Sequence, residues 1–97
     1  MISNMKAALL LDERHVVAGN AFVELVVWRL GTRLPGSEHD FKYRLAFVVD
    51  GRCVLRYDNE SGKGDHRHVG KKADPYGFST PERLLDDFWR EVDRWRF

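Results

Sequence analysis

At 97 residues, 43% hydrophobic and with twelve aromatics, the chain has the size of one domain (1–97) with a thin core, and it is not a disordered segment. Its single cysteine, Cys53, excludes an internal disulfide and points to a reducing compartment. The net charge of +1 argues against general polyelectrolyte binding, yet residues 41–72 hold eight cations against four acids, a locally basic surface.

The first apolar run, Ala7 to Leu11, stops at Asp12-Glu13-Arg14. It is too short for a signal peptide or a membrane span, so a soluble, cytoplasmic protein with no membrane role is expected. Ala7 to Leu11 and His15 to Val17 predict a first hairpin around Asp12-Glu13. Ala21 to Leu30, rich in Val, Phe and Trp, predicts a strand with both faces partly covered. Glu24 interrupts it, either facing solvent or paired with an arginine.

Phe41 to Val49 alternates, with Phe41, Tyr43, Leu45, Phe47 and Val49 on one side and Lys42 and Arg44 on the other. Asp50-Gly51 then leads into Arg52 to Tyr57, a strong hairpin signal. A two-residue loop would mix the faces. A three-residue loop with Gly51 in the left-handed region sets Phe47, Leu45 and Tyr43 against Cys53, Leu55 and Tyr57. In that register Cys53 points inward. Lys42, Arg44, Arg52 and Arg56 then form a four-cation stripe, neutralised by acids such as Glu24 or awaiting a phosphate.

The C-terminus predicts an amphipathic helix: Thr80 as N-cap, Pro81 at N1, Glu82 in the first turn. Leu84, Leu85, Phe88, Trp89, Val92 and Trp95 form the packing stripe, leaving Asp86, Asp87, Arg90, Glu91, Asp93 and Arg94 to the other face.

Between these elements, His66-Arg67-His68 places both imidazoles on one face if it lies on a strand. Such a pair can ligate a metal, act as general acid and base, or simply sit in solvent. Gly62-Lys63-Gly64, upstream, reads as a mobile cationic loop whose backbone N–H groups can approach phosphate, and equally as a plain hairpin tip. Asp58 and Asn59 end a strand, where Asx turns are common, and Asp58 can orient one histidine. Asp65 reads as a turn residue. Two histidines are too few for zinc unless Asp58, Asp65 or His39 joins them, so neither metal nor cofactor is expected.

The blocks Arg56-Tyr57-Asp58-Asn59 and Gly64-Asp65-His66-Arg67-His68-Val69-Gly70, with Phe22 to Trp28, His39 to Leu45 and Pro75-Tyr76, resemble the TumE family of toxin–antitoxin systems. The resemblance covers roughly residues 20–95 and is weaker over Met1 to Gly19. It implies a small bacterial toxin of a type II system, neutralised by a cognate antitoxin that is commonly a helix-turn-helix DNA-binding protein.

The expected fold is α+β, a twisted antiparallel sheet of five or six strands with one C-terminal helix packed on one face. Its exposed edges or an apolar patch would be covered by the antitoxin or by a second copy in a homodimer. The expected activity is metal-independent RNA cleavage. His66 and His68 act as acid and base, Arg56, helped by Arg44 or Lys63, steadies the phosphorane, and Tyr57 or Tyr43 stacks a base or supplies a hydroxyl. Lys42, Arg44, Arg52, Lys63 and Arg67 would bind RNA, with Asp58 and Asn59 orienting. The competing expectation is a non-catalytic toxin or adaptor that blocks a nucleic acid or protein through the basic sheet face.

Overall fold

A computed structural model describes residues 7–95, so residues 1–6 and 96–97 of the expected domain lie outside the described range. Six strands form one antiparallel sheet in sequence order: β1 (Ala8–Ala18), β2 (Ala21–Arg29), β3 (Phe41–Val49), β4 (Arg52–Glu60), β5 (Gly64–Val69) and β6 (Lys72–Pro75). One helix, α1 (Pro81–Asp93), follows, completing the expected α+β arrangement. The Thr80 hydroxyl accepts the Arg83 N–H at 3.1 Å and Pro81 opens the first turn, so the helix starts where its capping chemistry places it. No helix among the described residues is long and apolar enough to cross a membrane.

The helix packs Leu84, Phe88 and Val92 onto Val23, Leu25 and Val27 of β2, Tyr43, Leu45 and Phe47 of β3, and Leu55 and Tyr57 of β4. These odd-numbered strand residues share one side, the helix face, because strand side chains alternate. The even-numbered residues of β2 and β3, and of β4 from Arg56 onward, look the other way. No described helix covers that open face, where Phe22, Glu24 and Val26 of β2 are half-buried while the helix face of the strand is fully buried from Ala21 to Val27.

Two turn expectations are corrected. Asp12-Glu13 is not a turn: Asp12 pairs with Val26 and Glu13 with Leu25 inside a continuous 11-residue β1. The reversal falls at Gly19-Asn20, because the β-pairing available along β2 outweighs the local polarity of the charged run. The β3–β4 loop has two residues, not three. Asp50 (φ 52°) and Gly51 (φ 76°) are both left-handed, the type I′ geometry that Asp-Gly favours, and Val49 pairs directly with Arg52. A bulge at Val54 then restores odd-to-odd pairing, Phe47 with Leu55 and Leu45 with Tyr57. The alternation was legible, but the bulge that reconciles it with a tight turn was not. Consequently Arg52 shares the helix side with Val49, and Cys53 is exposed on the open face opposite Val48, not turned inward.

Candidate functional site

The β4–β5 hairpin carries the site, and its register explains the two motif blocks. Arg56 pairs with His68, Tyr57 with Arg67, Asp58 with His66 and Asn59 with Asp65. Arg56, Asp58, His66 and His68 therefore stand on the open face. Tyr57, Asn59, Asp65 and Arg67 stand on the helix face.

On the open face, Asp58 is the hub. Its Oδ1 lies 3.1 Å from His68 Nε2, and its Oδ2 lies 3.0 Å from Arg56 Nε. A carboxylate only accepts, so His68 presents an Nε2–H to Asp58, leaving Nδ1 turned away from it. The Arg56 contact is an ion pair without hydrogen-bond alignment, so its buried Nε–H has no hydrogen-bond partner. The His66 ring lies 6.2 Å from His68 and makes no hydrogen bond among the described residues. With Glu60, Lys63 and Ala73 these four residues line a cleft of about 320 Å³. Lys63 Nζ sits 3.1 Å from Glu60. The cleft's cations Arg56 and Lys63 are matched in number by the carboxylates of Asp58 and Glu60.

The neighbouring cations are partly spoken for. Glu24 lies between Arg44 (3.7 Å) and Arg14 (3.9 Å), and Lys42 donates to the Asn59 carbonyl. The predicted stripe is thus compensated within the sheet, and Arg52 has left it for the other side.

The helix-face members hold the scaffold. Arg67 Nε donates to Glu91 Oε2 at 2.7 Å and its Nη2 to Oε1, while the Tyr57 hydroxyl donates to the same carboxylate. Burial and then the bond to Glu91 push the Tyr57 hydroxyl well above its ordinary range, so it remains protonated. Tyr57 and Arg67 thus stand on the opposite face of the sheet from His66 and His68. Asn59, 1% exposed, accepts the Tyr43 N–H (3.0 Å) and donates to the Phe41 carbonyl (2.8 Å). It orients backbone, not an imidazole.

Asp65 is no simple turn residue. Its Oδ2 accepts from His39 Nε2 (2.8 Å) and from the Tyr43 hydroxyl (2.6 Å). His39 Nδ1 accepts the Phe41 N–H at 3.1 Å, so both of its nitrogens are used, and its ring stacks on Phe78 at 3.9 Å. Burial and then Asp65 raise the Tyr43 hydroxyl far above its usual value. This cluster lies on the opposite side of the sheet from His66 and His68 and cannot join them around an ion. Among the described residues no three His, Cys, Asp or Glu side chains converge as a metal site. The glycine loop is also tied: Gly62 N–H donates to the Pro35 carbonyl at 2.7 Å, so it is not free for phosphate.

Sequence reasoning missed Glu91 and Asp87, which it placed away from the sheet. Asp87 accepts from the Tyr76 hydroxyl at 2.6 Å. The available signal was position: both acids flank Phe88 and Val92 within the apolar stripe.

A small meander sheet with one covering helix, carrying an aspartate-held histidine, a second histidine and an arginine on its bare face, defines an α+β protein with a histidine-lined cleft. The chain belongs to the family described as Toxin TumE, whose model matches residues 6–96, and it is a toxin of that family. No protein of curated function and no solved structure matches it.

Proposed function

We propose that this toxin is a metal-independent endoribonuclease working from the open-face cleft. The observation that carries the proposal is the hold of Asp58 on His68, with His66 6.2 Å away and Arg56 beside them. His68, its Nε2–H fixed by Asp58, offers Nδ1 as base to a ribose 2′-hydroxyl within ordinary hydrogen-bond reach. The 2′-oxygen attacks phosphorus while protonated His66 gives its proton to the departing 5′-oxygen. The products are a 2′,3′-cyclic phosphate and a 5′-hydroxyl end. The Arg56 guanidinium offsets the charge that grows on the phosphorane. Blocking a target through the basic face alone is less well supported, because Glu24 and Asp58 already compensate Arg44 and Arg56.

As a toxin of a type II system, the protein would be held inactive by a cognate antitoxin of the helix-turn-helix class. Purified toxin incubated with RNA and a chelator should yield 2′,3′-cyclic phosphate ends, and His66→Ala/His68→Ala should abolish them while circular dichroism stays native. Removing one such group typically costs about 10²–10⁴ in rate. Cleavage that survives in the double variant, or that the chelator abolishes, rejects the assignment.

A further inference from the structure

The two edges of the sheet are built differently. At one, β6 is four residues long, follows Lys71, includes Lys72 and ends in Pro75, features that blunt an edge against pairing. At the other, β1 runs for 11 residues, and no described strand pairs with its outer side. Leu9, Leu10, Val16 and Val17, all on β1, are four of the five large hydrophobics exposed among the described residues, Val16 at 78%. The fifth, Trp28, is the cross-strand partner of Leu9. A long apolar edge is a template for another strand.

The order of side chains along β1 selects the occupant. Leu9-Leu10-Leu11 is followed by Asp12-Glu13, then Arg14-His15, then Val16-Val17. Laid against itself in parallel register, the strand sets acid on acid and base on base. Laid antiparallel, it brings one acid–base pair and at least one leucine–valine pair to each side of the axis, with a single like-charge self-pair on the axis itself. A twofold axis through Arg14 places each Glu13 opposite the other copy's His15, and each Leu11 opposite Val17. An axis through Glu13 places Asp12 opposite Arg14. An isologous contact needs this self-complementarity, whereas a different chain does not. His15, which already touches Glu13 (2.7 Å) and the Trp89 ring (5.9 Å), sits where the seam meets the helix side.

We infer that the outer edge of β1 pairs antiparallel with β1 of a second copy, forming a continuous twelve-stranded sheet. The histidine cleft lies on β4 and β5, β5 being four strand spacings from β1, roughly 19 Å. Each dimer then carries two clefts toward its opposite ends, and the pairing is independent of their chemistry.

Light scattering on the purified full chain across a micromolar dilution series should give twice the chain mass, and His66→Ala/His68→Ala should leave that mass unchanged. Asp12→Lys/Glu13→Lys and Arg14→Glu/His15→Glu should each be monomeric alone, and an equimolar mixture should recover the dimer. Should either charge variant lose its native circular dichroism, Val16→Asp serves instead, since it sets an acid against Asp12 or Leu10 of the other copy and should yield monomer. A wild-type chain that stays at one chain mass throughout overturns the inference. So does a natively folded charge variant, or Val16→Asp, that still dimerises alone.

Discussion

At the scale of single residues, the two motif blocks are each half scaffold and half cleft. In Arg56-Tyr57-Asp58-Asn59, the first and third residues enter the cleft and the second and fourth secure the fold. In Asp65-His66-Arg67-His68 the order is reversed, because the hairpin pairs like faces. The sequence showed that His66 and His68 share a side, since a period of two needs only a strand. It did not show that Tyr57 and Arg67 meet Glu91, because helix residue 91 is brought there by packing alone. Asn59 provides a sharp test. The strand-to-strand pairing of β3 and β4 ends at Arg44 with Asp58, and the Asn59 amide then takes over for the Tyr43 N–H and the Phe41 carbonyl. Asn59→Ala leaves both backbone groups buried without partners and should cost about 2–4 kcal/mol in urea unfolding. A loss below the spread of ordinary surface substitutions would contradict this role.

At the scale of elements, α1 is fixed by its apolar stripe and by two carboxylates aimed at the sheet. Its start was legible in Thr80 and Pro81, where capping is local chemistry. Its orientation toward the sheet was only half legible, since an acid on an apolar stripe reads as polar until its partners are known. Burial pushes the Glu91 carboxyl up, but the hydrogen bonds from Arg67 and Tyr57 outweigh it and the net direction is down. A carboxyl lowered by folding stabilises fully above its ordinary value of 4.5, and this contribution is lost as pH falls through the lowered native value. Glu91→Gln should therefore cost about 1–2 kcal/mol at neutral pH, a figure kept small because Arg67 is a third exposed. The gap in melting temperature between wild type and variant should close under acid. An undiminished gap at low pH would show that the carboxylate charge is not what matters.

At the scale of the whole molecule, a six-strand meander puts each strand beside its sequence neighbour, which is why alternation and turn residues revealed most of the sheet. The first hairpin was misplaced because β1 has charged residues in its middle and its one partner strand on one side only. That same exposure makes β1 the candidate seam, while the cleft stays on the far strands. The fold thus keeps the proposed seam at one edge apart from the histidine cleft near the other.

The pairing of Asp58 with His66 also bears on how the chain tolerates insertion and deletion. Which way a β5 side chain points is inherited across the hairpin from β4 and is not counted along the chain. Extra residues between Ser61 and Lys63 would lengthen the loop and leave the facing of both histidines intact. One residue inserted between Asp65 and His68 would exchange cleft and scaffold positions along part of β5. Scanning single-residue insertions through 56–70 against growth inhibition should show a tolerant window at 61–63 between two intolerant strands. Uniform intolerance would mean that the tip itself, tethered through Gly62 to Pro35, is held to one length.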